Sequence, residues 1–222
     1  MSISSSLLLR QLGMRDYVPI WQAMQSFTQD RDDTTTDEVW LLQHPPVYTL
    51  GLNGKRKHIL IKNDIPVIDV DRGGQVTYHG PGQLVAYTLI DLNRKQLGVR
   101  ELVHAIEQAV IDLLTDFGIH TERRPNAPGV YVGGAKIAAL GLRIKKNRSY
   151  HGLSLNIDMD LSPFAAINPC GYKDMPVTQL HDLLTQPPDI DSISQRLTEH
   201  LYRQLQYNDV QYSGKLPVQL KG

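Results

Sequence analysis

The chain has 222 residues, of which 41% are hydrophobic, so it is long enough to bury a substantial core. Twenty-three basic residues balance 23 acidic ones, which excludes a global charge that would attract nucleic acid or a membrane surface. No apolar run approaches the ~18 residues of a membrane span, and residues 1–10 lack the basic region of a signal peptide. A single cysteine excludes an internal disulfide, and these features together predict a cytoplasmic protein.

The amino-terminal half predicts short strands around one helix. Apolar residues at helical spacing follow Asp16, a favourable N-cap residue, and predict a helix that runs to about Arg31. Runs of apolar and β-branched residues predict strands at 7–12, 38–43, 47–50, 59–61 and 67–70. Glycines then bracket a four-residue strand within 72–83, and an apolar strand follows at 84–92.

The carboxy-terminal half predicts strands between two helices. The clearest amphipathic pattern runs from Leu102 to Phe117, and Gly118 stands where glycine commonly ends a helix. Further strands are predicted at 130–132, 136–144 and 149–157, and a last helix at 190–205. Because strands outnumber helices and occur in consecutive runs, we predict an α+β fold with a mixed or antiparallel sheet flanked by helices. We expect one domain over 1–222, with 188–222 as a candidate helical cap.

The segment from Arg72 to Gln83 is rich in glycine. Glycine lets the backbone approach a ligand closely, but a hairpin with two glycine turns explains the same pattern. No Lys-Ser or Lys-Thr follows these glycines, and no GxGxxG pattern opens a helix, so neither common phosphate-binding loop is present. The segment is therefore a candidate ligand loop, with a plain hairpin as the alternative.

His79 and His151 both stand in Tyr-His-Gly tripeptides. They are candidates to meet across one site, with a purely structural role as the alternative. A catalytic zinc ion needs three protein ligands at a local spacing such as HExxH, which the sequence lacks. We therefore predict that the protein holds no metal.

Cys170 lies between a proline and a glycine, where a turn is expected. Two interpretations remain open for it: a small packed side chain or a reactive thiol. Lys136 follows a glycine pair and is one candidate partner, because an ammonium group in contact with a thiol favours the thiolate and lowers the thiol pKa. His79 or His151 is an alternative partner.

Six motifs occur in an order that resembles one known family. They are His44 to Gly51, Arg72 to Gln83, Arg124 to Val132, Gly134 to Ala138, Tyr150 to Leu153 and Asn168 to Gly171. In this combination, over roughly residues 38–180, the chain resembles the bacterial lipoyl(octanoyl) transferases of lipoate biosynthesis. Two departures are visible: Thr88 and Ser154 stand where a proline and an alanine are expected.

The resemblance implies a fold like that of the biotin and lipoate protein ligases. It implies transfer of an octanoyl group from acyl carrier protein to a lysine of a lipoyl domain, as the first step of endogenous lipoate biosynthesis. The acceptors would be the lipoyl domains of 2-oxoacid dehydrogenase complexes and the glycine cleavage H protein. No cofactor is implied, because the acyl group arrives on the phosphopantetheine arm of the carrier.

The resemblance also assigns roles to residues. It implies that Cys170 is the acyl-accepting nucleophile and Lys136 its activating partner, with His151 as a candidate for an assisting role. The implied acyl-binding residues are Arg72, Gly73, Gly74, Gln75, Val76, Thr77, Tyr78, His79, Ala139, Leu140, Gly141, Gly152, Leu153 and Ser154.

Three other functions stay open. An ATP-dependent lipoate or biotin protein ligase would share the fold but has no need of the cysteine, a cysteine thioesterase would use water as acceptor, and a non-catalytic module would bind a carrier alone. Both protein substrates of the transferase are expected to be acidic. The basic clusters Arg123-Arg124 and Arg143 to Arg148 are therefore candidate docking sites, with ordinary surface charge as the alternative.

Overall fold

The computed structural model describes residues 6–169 and 175–217. The strands are β1 (Ser6–Met14), β2 (Asp37–Gln43), β3 (Val47–Leu50), β4 (Val67–Asp69), β5 (Val76–His79), β6 (Gln83–Leu89), β7 (Gly129–Val132), β8 (Ala135–Lys145), β9 (Arg148–Asn156) and β10 (Asp209–Ser213). The α-helices are α1 (Tyr17–Asp30), α2 (Leu92–Lys95), α3 (Val99–Thr115) and α4 (Ile190–Gln204). None of the helices in these ranges is long and apolar enough to cross a bilayer.

The strands form a large sheet and a small one. The large sheet has the order β10-β1-β2-β6-β9-β8-β7, and the small sheet has the order β4-β3-β5. In the large sheet β1 runs parallel to both of its neighbours, whereas the pairs from β2 to β7 are antiparallel. The predicted α+β class with a mixed sheet is confirmed.

Alternation along β6 shows how the large sheet is covered on both faces. Leu84 and Ala86 face the core that contains the apolar stripes of α3 and α4, whereas Val85 and Tyr87 face the core formed with α1. Successive side chains of a strand point to opposite faces, so a strand buried on both sides reads as a continuous apolar run. This is why the run from Leu84 to Tyr87 is continuously apolar in the sequence.

The small sheet lies where the chain passes from β5 to β6. Only Gly80, Pro81 and Gly82 separate these strands, although they belong to different sheets. Gly82 has a φ of +82°, and a Cβ there would lie 1.8 Å from the carbonyl oxygen of Asp158. The glycine therefore allows the chain that links the two sheets to pass close to the backbone just beyond the end of β9.

Two local predictions differ from the structure. The strand predicted at 59–61 is a 3-10 turn at Arg56–His58 followed by a single bridge between Ile59 and Ile167. Strand β10 was absent from the prediction because its residues are polar and largely exposed at the sheet edge. Its partner is the buried strand β1, at the other end of the chain.

Candidate active site

A pocket, which we call the main pocket, opens where the large sheet, the small sheet and the start of α1 meet. Most of the residues predicted to bind an acyl group line it: Arg72, Gly74, Gln75, Val76, Thr77, His79, Ala139, Leu140, Gly141, Gly152, Leu153 and Ser154. His151, the candidate assisting residue, lines the same wall. Residues that are distant in sequence therefore meet around one space, and their binding role stays a prediction.

Two of the predicted acyl-binding residues do not line the main pocket. The backbone nitrogen of Gly73 donates to the carbonyl of Leu142 at 2.9 Å, which ties the glycine-rich loop to β8. The ring of Tyr78 packs between Tyr48 and Phe164, in the apolar cluster of the small sheet. Both residues thus support the pocket wall from behind.

The buried guanidinium of Arg72 holds the glycine-rich loop in shape. It donates to the carbonyl of Thr49 at 2.7 Å and to the hydroxyl of the same residue at 2.8 Å. It also donates to the carbonyls of Gly73 and Gln75, at 2.9 and 2.8 Å. A planar group with five fixed donors suits this task, because a loop without regular structure leaves several carbonyls in need of partners.

A smaller space, which we call the lysine cavity, adjoins the main pocket and shares Thr77, Ala139 and Ser154 with it. Its other lining residues are Lys136, Ile137, Ala138, Asn156, Phe164, Pro169 and Val177. The two spaces together place an amine beside one end of the main pocket.

Lys136 is buried, with 3% of its surface exposed. Its ammonium donates to the carbonyl of Pro128 at 3.1 Å and lies 5.0 Å from the centre of the Tyr131 ring. A Cβ on Gly129 would lie 3.2 Å from the lysine Nζ, so the glycine leaves room for this side chain. A buried charge needs such partners, because removal from water is costly otherwise.

Cys170, the predicted nucleophile, lies outside the residues that the structure describes. The chain on either side of it is described, and both flanks lie at Lys136. Pro169 lines the lysine cavity, and the carbonyl of Pro176 accepts from the backbone nitrogen of Lys136 at 2.8 Å. The backbone nitrogen of Thr178 donates to the Lys136 carbonyl at 3.0 Å, which continues this pairing.

Two rows of paired residues cross the pocket face of the large sheet. The near row is Val85, Ser154 and Ala139, and the far row is Tyr87, Gly152 and Gly141. The near row shares two members with the lysine cavity. The far row lies two residues further along each strand, which is about 7 Å at ordinary strand geometry. The main pocket therefore extends away from Lys136 and ends among glycines and a tyrosine.

Buried imidazoles lie beside the main pocket in their neutral form. Burial, followed by the neighbouring His44, lowers the pKa of His79 to about 3. Burial likewise lowers the pKa of His44 to about 4. The Nδ1 atom of His79 is 2.7 Å from the side-chain oxygen of Gln83, so at neutral pH this nitrogen carries the proton and donates it.

His151 is held by an ionised carboxylate. Its Nε2 atom lies 3.0 Å from Asp71, which also accepts from Trp21 at 2.8 Å and from the hydroxyl of Tyr150. Burial alone would raise the pKa of Asp71, but hydrogen bonds from His151, Tyr150 and Trp21 outweigh it and lower that pKa. His151 has a φ of +59°, an unusual value for a residue other than glycine, and its Nδ1 atom is buried with no hydrogen-bond partner among the residues that the structure describes.

Sequence reasoning missed three residues of the main pocket: Tyr17, Val85 and Tyr87. Alternation along β6 puts the last two on the same face, so the strand period could have indicated them once one was known. Tyr17 comes from the first turn of α1 and carries no local signal of this kind. Asp71, which orients His151, was also missed.

Solved structures show where this architecture occurs. A lipoate protein ligase of Thermoplasma acidophilum, described together with its E2 lipoyl domain, superposes with a TM-score of 0.72 at 14% identity, over 96% of this chain and 87% of that one. The biotin protein ligase of Aquifex aeolicus, in complex with biotin and ATP, gives a TM-score of 0.57 at 12% identity, over 89% of this chain and 70% of that one. The predicted biotin and lipoate protein ligase-like fold is confirmed.

Sequence relatives are much closer. The octanoyltransferase of Stutzerimonas stutzeri (strain A1501) is 59% identical over 199 residues, which cover 90% of each chain. This match confirms the resemblance seen in the motifs and the prediction of a transferase enzyme. The model of the lipoyl protein ligase A/B catalytic domain matches residues 16–202. The chain therefore belongs to the lipoyl protein ligase A/B catalytic domain family.

Proposed function

We propose that this protein transfers an octanoyl group from octanoyl-acyl carrier protein to a lysine of a lipoyl domain, through a thioester on Cys170, in the cytoplasm. The observation that carries the proposal is the buried amine of Lys136 at one end of the main pocket. The names of the close relatives support octanoyl as the acyl group. The lipoyl domains of 2-oxoacid dehydrogenase complexes and the glycine cleavage H protein are the proposed acceptors.

Chain connectivity supports Cys170 as the nucleophile. Consecutive Cα atoms are about 3.8 Å apart, and Pro169, the preceding residue, lines the lysine cavity. The segment that follows Cys170 returns to the backbone of Lys136 at Pro176. Lys136 is therefore the described amine best situated to stabilise a thiolate at position 170.

The first half of the reaction exchanges one thioester for another. The Cys170 sulfur attacks the carbonyl carbon of the donor, a new carbon–sulfur bond forms, and the bond to the phosphopantetheine sulfur breaks. The departing thiolate takes the proton that the Cys170 thiol gave up, with Lys136 as the carrier of that proton. No ATP is needed, because the donor acyl group is already activated.

The second half produces an amide. The amine of the acceptor lysine attacks the acyl-enzyme, a carbon–nitrogen bond forms, and the bond to the Cys170 sulfur breaks. Lys136 accepts the proton that the amine loses and passes it to the departing Cys170 thiolate, which restores the free thiol. Meanwhile the apolar walls of the main pocket hold the tail, since each buried methylene contributes about 0.8 kcal/mol.

Intact-protein mass spectrometry after mixing with octanoyl-carrier protein tests the proposal. We expect one added octanoyl group without ATP, and its removal when an unmodified lipoyl domain is supplied. Cys170→Ala should gain no adduct. Lys136→Met should gain it at least about a hundredfold more slowly, which is the usual contribution of a positioned acid–base group.

Three results would contradict this function. Wild-type protein that transfers octanoate to the lipoyl domain without ever carrying the adduct would exclude the covalent route. Transfer that requires ATP and free octanoate would instead identify a ligase. Release of free octanoate at the same rate in the presence and in the absence of the lipoyl domain would identify a thioesterase.

A further inference from the structure

One exposed segment combines cations with large apolar side chains. Residues 52–62, between β3 and β4, contain four basic residues and no acidic one: Lys55, Arg56, Lys57 and Lys62. Among the described residues seven large hydrophobic side chains are exposed, and three of them lie in this segment: Leu52 at 56%, Leu60 at 53% and Ile61 at 58%. Single exposed apolar residues are common, whereas such a concentration is typical of an interaction site. We call this segment the 52–62 surface.

The 52–62 surface is attached to the wall of the main pocket at its beginning. The backbone nitrogen of Leu52 donates to the carbonyl of Arg72 at 2.9 Å, and that of Lys55 donates to the side chain of Gln75 at 3.2 Å. Arg72 and Gln75 both line the main pocket. The surface therefore begins at the glycine-rich loop of the candidate active site.

At its other end the surface is attached to the chain that leads to Cys170. Leu60 donates its backbone nitrogen to the carbonyl of Ala166 at 2.8 Å, and Asn168 donates to the carbonyl of His58 at 2.8 Å. None of the residues 52–62 lines the main pocket or the lysine cavity. A protein bound here would therefore lie beside the site without filling it.

The cations of this surface are more available than those of the two clusters singled out in the sequence. Within the described ranges, Lys55, Lys57 and Lys62 form no ion pair, and Arg56 pairs with exposed Asp69. Arg123, by contrast, donates to Glu107 and Gln108. The charges of that cluster are thus partly committed to neighbours on the same molecule.

The second cluster differs in the same way. Arg148 donates to Asp91 at 3.2 Å and to the carbonyl of Arg31, so it serves as a structural residue between β9 and the end of α1. Lys145 and Lys146 are exposed at the turn between β8 and β9. None of the large exposed apolar side chains of the described chain belongs to the segment 143–148.

We propose that the 52–62 surface docks the acyl carrier protein, an acidic partner that presents its acyl group on a flexible arm. This inference rests on the proposed function and names where its donor binds. A donor with a long arm can dock beside the site and still deliver its thioester, whereas a lysine side chain requires its domain to cover the site itself. Positive charge steers an acidic partner, and Leu60 and Ile61 supply apolar area for contact.

The test uses charge reversal at two places on one protein. Lys55→Glu/Lys57→Glu/Lys62→Glu changes the 52–62 surface, and Lys145→Glu/Lys146→Glu is the matched control, since all five side chains are exposed. Both are made in the Cys170→Ala background, and the dissociation constant for octanoyl-carrier protein is measured by calorimetry. We expect the first variant to bind at least about tenfold more weakly at low salt, with the difference shrinking at high salt, and the control to bind like its parent.

A second measurement separates docking from catalysis. With Cys170 present, the triple variant should have a raised KM for octanoyl-carrier protein but unchanged kcat/KM for octanoyl-pantetheine, a donor without a carrier. Its KM for the lipoyl domain should also be unchanged. Leu60→Ser/Ile61→Ser should weaken carrier binding in a way that persists at high salt.

Several outcomes would overturn the docking site. They are an unchanged dissociation constant in the triple variant, an equal loss in the Lys145→Glu/Lys146→Glu control, and a raised KM for the lipoyl domain in place of the carrier. A protein that binds the carrier through this surface but transfers octanoate from neither donor would instead refute the proposed function and leave the docking site standing.

Discussion

At the scale of single residues, Asp71 connects the pocket wall to the rest of the molecule. Its carboxylate accepts from the side chains of Trp21, Gln25, Tyr150 and His151, so α1 and β9 meet at one charged group. His151 needs this contact, since its backbone conformation is unusual and its other ring nitrogen has no hydrogen-bond partner within the described chain. Strain of this kind persists only where surrounding contacts maintain it.

Replacement of this carboxylate is therefore expected to destabilise the fold. Asp71→Asn keeps the shape but removes the charge from several hydrogen bonds, which should lower the free energy of unfolding by about 2 kcal/mol. Because the pKa of Asp71 is lowered, its stabilising contribution is complete above the pKa of the unfolded chain and is lost as the pH falls further. The loss on substitution, measured by urea unfolding, should thus be equal at pH 7 and pH 5.5.

Asp69→Asn is the matched control for this substitution. Asp69 lies two residues away, and its ion pair with Arg56 is exposed on both sides, so its loss should cost less than about 0.5 kcal/mol. A cost for Asp71→Asn that shrinks markedly between pH 7 and pH 5.5 would contradict the lowered pKa. It would mean that burial affects the pKa of Asp71 more strongly than its hydrogen bonds do.

At the scale of strands, the pair β8 and β9 carries two glycines opposite each other in the far row. A Cβ on Gly152 would lie 2.0 Å from the carbonyl oxygen of Ala86, so that glycine is required for the pairing with β6. A Cβ on Gly141 would instead point toward the glycine-rich loop, 3.1 Å from the oxygen of Gly73. The two glycines therefore have different consequences when changed, although they face each other.

Gly141→Ala should shorten the main pocket at the end distant from Lys136. If the tail of an octanoyl group lies there, the added methyl group should exclude its last two carbons. Loss of two buried methylenes lowers kcat/KM for octanoyl relative to hexanoyl donors by about tenfold. The ratio is measured with octanoyl- and hexanoyl-carrier protein.

Ala139→Gly provides a comparison in the near row. It removes a methyl group next to the lysine cavity and should leave the preference for octanoyl close to that of the parent. A Gly141→Ala enzyme that still prefers octanoyl to the same degree would show that the tail does not follow the large sheet.

The same strands show how far a sequence alone leads. Periodicity predicted β6, β8, β9 and the long helices because local alternation records which face is buried. It failed for β10, whose polar residues pair with β1 across about 200 positions of chain, as Ser6 does with Asp209. Pairing across such a distance leaves no local pattern.

The candidate site divides in a similar way. The family resemblance indicated Arg72, Gly141 and Ser154, which do meet at the main pocket. Tyr17 and Asp71 escaped notice because their roles arise from contacts with distant segments. The unusual backbone of His151 was equally hidden, since a Tyr-His-Gly tripeptide does not specify a positive φ.

At the scale of the whole molecule, the interior around the main pocket contains three buried histidines: His44, His79 and His151. Burial is the largest cause that lowers the pKa of each of them. The neutral rings form hydrogen bonds with their neighbours: the Nε2 atom of His44, for example, lies 2.7 Å from the hydroxyl of Tyr87. The folded protein therefore resists protonation at sites that the unfolded chain protonates readily, near pH 6.5.

This difference predicts a loss of stability in mild acid. Below about pH 6.5 the unfolded chain takes up protons at these histidines while the folded protein does not, so the free energy of unfolding falls with pH. The pKa values of about 4 and about 3 for His44 and His79 mean that both remain neutral in the fold at pH 5. Between pH 7.5 and pH 5 each should remove about 2 kcal/mol. Urea unfolding at a series of pH values measures the slope.

The slope, rather than the stability at one pH, identifies the residues responsible. His44→Gln loses a hydrogen bond, so it should lower the free energy of unfolding at every pH. It should also reduce the change in that free energy between pH 7.5 and pH 5 by about 2 kcal/mol, the contribution of one histidine. His104→Gln/His120→Gln changes two exposed histidines and should leave the slope as it is. If His44→Gln has the slope of the parent, His44 takes up its proton in the folded protein as well. The acid sensitivity would then have to come from His79 and from groups other than His44, because the His44 ring would no longer distinguish the folded chain from the unfolded one.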